Sequence, residues 1–145
     1  MGSRKHISAE ARKEAKKSLY IAKLNNNPTS PRKTRLMADA IRGIDVDKAL
    51  GILQYSQRES APKLRKLLVS AISNWQNKNE GKRIEDADLF VKEIFVDEGR
   101  QLKRLRTAPR GLGHRIKKRS NHITLILGSR VEEKVAEIQQ ITAED

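Results

Sequence analysis

The sequence predicts an α+β fold in a single domain, with a long basic β-hairpin reaching out of it. Three features carry that expectation. Helical periodicity recurs between Ser30 and Lys78. Two β-branched and aromatic runs follow, at Leu89–Val96 and Ile123–Leu127. Between those runs lies Gly99–Ser120, which holds no acidic residue. A chain of 145 residues is the size of one domain with one modest core.

Residues 1–17 carry Arg4, Lys5, Arg12, Lys13, Lys16 and Lys17 against Glu10 and Glu14, with no apolar face to bury. This stretch reads as an arm that becomes helical only on a partner. Leu19–Leu24 is a short apolar run suited to an edge strand, which Asn25-Asn26-Asn27-Pro28-Thr29 breaks. Ser30 and Pro31 suit the cap and first position of a helix running to about Arg42, with Gly43 placed to end it. On that helix Leu36, Met37, Ala40 and Ile41 cluster on one side, opposite Arg32, Arg35 and Arg42. Asp45 can cap a second helix with Val46, Ala49, Leu50 and Leu53 inward. The third helix, Ser60–Lys78, has the clearest seam: Leu64, Leu67, Leu68, Ala71, Ile72 and Trp75 recur at helical spacing, as a core-facing stripe does.

If the strands at 89–96 and 123–127 pair antiparallel, the stretch between them is a hairpin. Each leg of about ten residues would reach roughly 30 Å from the sheet. Its charge comes from Arg100, Lys103, Arg104, Arg106, Arg110, Arg115, Lys117, Lys118 and Arg119. Thr107-Ala108-Pro109-Arg110-Gly111-Leu112-Gly113 supplies the turn. A ribbon with so little apolar material and so many like charges is expected to be mobile alone and to order when phosphates surround it.

The net charge of +13 predicts attraction to a polyanion: nucleic acid, an anionic membrane or an acidic protein. Aromatics are confined to Tyr20, Tyr55, Trp75, Phe90 and Phe95, too few to stack a run of unpaired bases. The charge therefore points to folded nucleic acid recognised through phosphates and shape. Absence of cysteine removes disulfides and thiolate metal sites, and a reducing, cytoplasm-like compartment is the simplest home. No apolar run reaches the roughly 20 residues of a membrane-spanning helix.

Nothing in the pattern supports an enzyme, a metal or a cofactor. His6, His114 and His122 have no metal-site spacing. Asp97 and Glu98 are adjacent on a strand, so they point to opposite faces and serve better as partners for nearby cations than as a magnesium clasp. Gly111-x-Gly113 is a turn signal, not a dinucleotide loop. A DNA-compacting protein would share the charge, but it would want an apolar wedge at the tip, where only Pro109 and Leu112 are available. A membrane-active protein would have to spend the apolar face of the Leu64–Trp75 helix that the core needs.

Three motifs in register resemble a known family. Ser30-Pro31-Arg32-Lys33-Thr34-Arg35-Leu36 with Ala38-Asp39 and Ile41-Arg42-Gly43 is similar to the first helix of bacterial large-subunit ribosomal protein twenty-two. Phe95-Val96-Asp97-Glu98-Gly99 with Lys103-Arg104 resembles that family's entry into its hairpin, and Arg115-Ile116, Lys118-Arg119 and His122-Ile123-Thr124 its return leg. The resemblance spans about residues 18–128. It implies a compact domain with a three-stranded antiparallel sheet packed on about three helices. The organisation is then a basic arm (1–17), an RNA-binding domain (18–131) with hairpin 97–122, and an acidic tail (132–145).

It further implies a cytoplasmic protein of the ribosome, not a homo-oligomer, bound to large-subunit ribosomal RNA beside ribosomal protein four. Arg32, Lys33, Arg35 and Arg42 would meet RNA at the body. Arg100, Lys103, Arg104, Arg106, Arg110, Arg115, Lys117, Lys118, Arg119 and His122 would meet it along the hairpin. Thr107, Ala108, Pro109, Arg110, Gly111, Leu112 and Gly113 would lie at the peptide tunnel. The tip departs from the family's usual Pro-Arg-Ala-x-Gly-Arg-Ala, with Pro109-Arg110 displaced and one arginine missing.

Overall fold

A computed structural model describes residues 3–79, 83 and 87–131 of the chain. The acidic tail expected at 132–145 lies outside the described residues. The elements run α1 (Ser3–Ser18), β1 (Tyr20–Asn27), α2 (Pro31–Ile41), α3 (Val46–Tyr55), α4 (Ala61–Lys78), β2 (Leu89–Thr107) and β3 (Gly113–Ser129). The three strands form one antiparallel sheet in the order β1-β3-β2. This is the expected α+β architecture with its hairpin.

The core lies between α2, α3 and α4 and one face of the sheet. Alternation along the strands sends Leu89, Val91, Ile94 and Val96 of β2, and Ile123, Leu125 and Leu127 of β3, toward the helices. A bulge between Val91 and Glu93 restores that alternation after Lys92. From α4, Leu64, Leu67, Leu68, Ala71 and Trp75 are buried as their spacing predicts. Each large apolar side chain so buried contributes about 2–3 kcal/mol. The Trp75 ring meets Tyr20 of β1 edge-on, with centroids 6.3 Å apart.

Several local expectations are corrected. The N-terminal arm is already helical: α1 spans sixteen residues, and Arg4–Lys16 are all exposed. Alanine, arginine, lysine and glutamate are strong helix formers, which sustains it without a packed face. β1 does not stop at Asn25. It continues to Asn27 through an irregularity after Leu24, with Asn26 at φ 54°, because Asn27 pairs with Asn121 of β3. On α2 the buried face is Pro31, Thr34, Met37, Ala38 and Ile41, whereas Leu36 and Ala40 are exposed. Ser30 and Asp45 stand at the N-caps of α2 and α3, but neither caps with its side chain. Gly43 ends α2 at φ +74° as expected, and α3 buries Val46, Ala49 and Leu53 with Leu50 partly covered.

Candidate nucleic-acid interface

The hairpin is a continuous two-stranded ribbon. After a second irregularity between Glu98 and Gln101, the ladder runs from Gln101↔Arg119 to Thr107↔Gly113. At about 3.3 Å per residue, the stretch from Asp97 to Thr107 reaches roughly 30 Å past the body. The turn is closed by Ala108 N–H donating to Leu112 O at 2.8 Å, with Arg110 (φ 63°) and Gly111 (φ 71°) both left-handed. Glycine suits that conformation; Arg110 adopts it at some cost.

Paired residues share a face, so the ribbon divides its charge between two sides. Lys103, Lys117, Arg115 and Arg119 project to the side the helices occupy on the body. Arg104, Arg106, Lys118 and His114 project to the other. Arg100, Lys103, Arg104, Arg106, Arg110, Arg115, Lys117, Lys118 and Arg119 are all exposed. Lys103 stands directly opposite Lys117, a like-charge pair that weakens an isolated ribbon. Leu102, Leu105 and Leu112 are exposed along the same ribbon, Leu105 at 76%.

At the root, the ribbon is held by a buried polar network. Asn121, fully buried, donates through Nδ2 to Thr29 O at 2.9 Å and to the hydroxyls of Thr29 and Thr34 at 3.0 Å each, and accepts from Asn27 Nδ2 at 3.0 Å. Asn27 Nδ2 also donates to Thr29 Oγ1 at 2.7 Å, and Thr34 Oγ1 to Ser30 O at 3.1 Å. Thus β3, β1 and the start of α2 are joined where the hairpin leaves the body. Gly99 is needed there: a Cβ would lie 2.8 Å from Ser120 Oγ and 3.0 Å from His122 Nε2.

The α2 cations do different things. Arg32 is exposed and, with Ser30, Pro31, Glu98, Lys117 and Arg119, lines a cavity of about 350 Å³ between the start of α2 and the hairpin root. The helix N-terminus and three cations favour an anion there, and Glu98 faces Arg119 at 3.6 Å. Lys33 is exposed beside Arg58 around a neighbouring cavity. Arg35, by contrast, donates from Nε and Nη2 to Val96 O at 3.2 and 3.0 Å, and Arg42 donates from Nη2 to Ile94 O at 3.1 Å. β2 is one of the two outer strands, so these arginines cover its open edge. Upstream the same edge is covered by Gly43 N–H to Val91 O at 2.8 Å and Val91 N–H to Ile44 O at 3.0 Å. His122 is half-buried, and its Nδ1 accepts from Asn26 N–H at 3.1 Å. That nitrogen is committed to the root and not to a phosphate.

Two sets of residues escaped sequence reasoning. The network residues Asn27, Thr29, Thr34 and Asn121 were legible only as a strand break and as polar residues at element ends. Arg58, Arg65 and Lys66 form an exposed basic group around the start of α4; the polar face opposite the Leu64–Trp75 seam could have revealed it. Asp45 holds its carboxyl below the usual range, chiefly through its hydrogen bond from Lys48 at 2.8 Å, with Arg130 adding to it at 3.0 Å.

Residues 22–128, covering the sheet, α2, α3, α4 and the whole hairpin, match the family described as ribosomal protein L22p/L17e. The chain belongs to that family. It is 64% identical over 129 residues to the large ribosomal subunit protein uL22 of Christiangramia forsetii, covering 89% of this chain and 96% of the relative. To the protein of that name from Bacteroides fragilis it is 60% identical over 130 residues, 90% and 95% of the two chains. To that from Porphyromonas gingivalis it is 58% identical over 125 residues, 86% and 92%. Family membership makes the chain a structural ribosomal protein of the cytoplasm and not an enzyme.

Proposed function

We propose that this chain binds large-subunit ribosomal RNA through the body and the ribbon, and that the ribbon tip lies in the wall of the nascent-peptide tunnel beside ribosomal protein four. It does so as a single copy, without forming a homo-oligomer. The observation that carries the reading is the ribbon itself: a ladder about 30 Å long, basic on both faces, with Lys103 opposite Lys117 and no carboxylate beyond Glu98. Such a ribbon is electrostatically unfavourable in isolation and favourable when phosphates surround both faces.

In this reading Arg100, Lys103, Arg104, Arg106, Arg110, Arg115, Lys117, Lys118 and Arg119 neutralise phosphates along the ribbon, and Arg32 and Lys33 do so where it leaves the body. The donors of Arg35 and Arg42 that hold β2, with the bond of Arg42 Nη1 to Asp39 Oδ1 at 2.7 Å, leave the remaining N–H groups of the two arginines for RNA, and His122 acts by fixing the root. Leu105 and Leu112 offer apolar contact at the end of the ribbon, within and beside the stretch from Thr107 and Ala108 to Gly113. The protein thereby ties distant RNA segments into one arrangement and supports assembly of the subunit. Such binding weakens steeply with salt, by roughly 0.7–0.9 in log K per log salt for every phosphate neutralised.

Ultraviolet crosslinking at native level in cells, followed by sequencing of the attached RNA, tests this. Crosslinks confined to a few segments of large-subunit ribosomal RNA, with adducts on peptides from 99–120, are expected. Crosslinks scattered over messages, or recovered with DNA, would overturn it.

A further inference from the structure

The family match begins at residue 22, so α1 lies outside it, and nothing in the ribbon or the body explains its pattern. At about 100° per residue, Lys5, Arg12 and Lys16 fall on one narrow stripe of α1 with no carboxylate three or four residues from any of them, while Glu10 and Glu14 fall on the other side together with Lys13, and Arg4 lies off the stripe. His6 Nδ1 stands 3.4 Å from Glu10 and belongs to that other side. Arg12 and Lys16, like Glu10 and Glu14, are i,i+4 pairs of like charge. Each such pair costs the free helix a few tenths of a kcal/mol. A helix selected for its own stability in water would place opposite charges at that spacing. Lys13 does stand three residues after Glu10 on the far side; the stripe has no such partner, and cations left uncompensated are what an anionic partner requires.

The partner's chemistry follows from what α1 lacks. Ile7 is its one large apolar side chain between Arg4 and Lys16, so there is no apolar face for a bilayer or for a hydrophobic groove on a protein. It holds no aromatic residue on which unpaired bases could stack. Its three stripe cations sit on a rigid ridge that spans about 16 Å from Lys5 to Lys16 at 1.5 Å per residue. Fixed charge spacing matches phosphates held in place by a duplex better than those of a flexible strand.

We propose that α1 is a separate docking element that lays the Lys5–Arg12–Lys16 stripe against the phosphate backbone of a double-helical RNA segment. This rests on the ribosomal-RNA reading above and adds a contact that the body and ribbon do not supply.

The test uses the full chain with a large-subunit ribosomal RNA transcript, read by hydroxyl-radical footprinting and by the salt dependence of binding. Reversing the stripe (K5E/R12E/K16E) should erase one protected duplex segment and lower the magnitude of the log K against log salt slope by about two to three, three phosphates' worth. Protections from the ribbon and body should persist. A neutral stripe (K5Q/R12Q/K16Q), which keeps helix formers, should show the same loss, so that misfolding is not the cause. Neutralising the other side (E10Q/E14Q) should leave the footprint in place. An unchanged slope and footprint in both stripe variants would refute the docking role while leaving ribbon binding intact, as would loss of the footprint in E10Q/E14Q. Stripe-dependent protection lying in single-stranded RNA would refute the duplex partner. If the unaltered protein protects no defined segment at all, the RNA reading fails and this inference with it.

Discussion

Replacing Asn121 with alanine should loosen the protein at the point where the ribbon meets the body. In the native chain the Asn121 amide answers Thr29 O at 2.9 Å and accepts from Asn27 Nδ2 at 3.0 Å, all within buried surroundings. Alanine removes both partners. The hydroxyls of Thr29 and Thr34 can still satisfy one another, since they already lie 3.2 Å apart, and Thr34 keeps its bond to Ser30 O. The Thr29 carbonyl loses its amide partner, and the Asn27 amide keeps only the Thr29 hydroxyl. Each buried group deprived of a partner costs about 1–3 kcal/mol, and the vacated volume adds to this. The expected loss is about 3–4 kcal/mol, against a total of 5–15 for an ordinary domain. Urea unfolding at fixed salt, followed by far-ultraviolet circular dichroism and by fluorescence of the buried Trp75, measures it directly. Asn25→Ala, an exposed neighbour on β1, is the control and should change stability by less than about 0.5 kcal/mol. A loss under about 1 kcal/mol for Asn121→Ala would show that the network is dispensable to the root.

Three further outcomes are expected. Arg35→Leu should destabilise the body by about 1–3 kcal/mol even without RNA, because Val96 O loses a charged donor; an unchanged melting temperature of the free protein would assign Arg35 to RNA alone. Deleting Arg104–His114 leaves Arg115 and Ile116 as a two-residue turn between the paired Lys103 and Lys117. The body should stay folded, its thermal transition within a few degrees of the parent's, while tunnel structure in reconstituted subunits is perturbed; an unfolded body would refute this. Asp45 has a lowered folded-state pKa, so the stability it adds through Lys48 and Arg130 is present above the ordinary carboxylate range and lost as pH falls through the folded value. The stability gap between the parent and Asp45→Asn should therefore close on acidification below about pH 4, and a gap that is constant with pH would contradict the assignment.

Much of this protein was legible in its sequence because the decisive patterns are local. The Leu64–Trp75 seam fixes a helix and its inward face within a few turns, and the turn residues around Pro109 and Gly111 mark the ribbon tip. The run without carboxylates from Gly99 to Ser120 is a property of composition alone, and so is the attraction to phosphate that follows from it. The three motifs led to the family that the match over residues 22–128 establishes.

Other features depend on residues far apart in the chain, and only the tertiary structure decided them. Asn27 and Asn121 meet across 94 positions, and neither asparagine signals from its own neighbourhood that it will be buried. The same holds for Arg35, whose partner Val96 O is 61 residues away: in sequence it is one more cation beside Arg32, and in the fold it guards an exposed strand edge. Leu36 and Ala40 read as core on a helical projection, but α2 is pressed against the sheet along Thr34, Met37 and Ile41, and packing direction overrides hydrophobicity. Charge and periodicity are written residue by residue. Which polar groups become structural is settled by where the sheet and helices come together, since burial makes a partner of an ordinary amide and an open strand edge makes one of an exposed guanidinium.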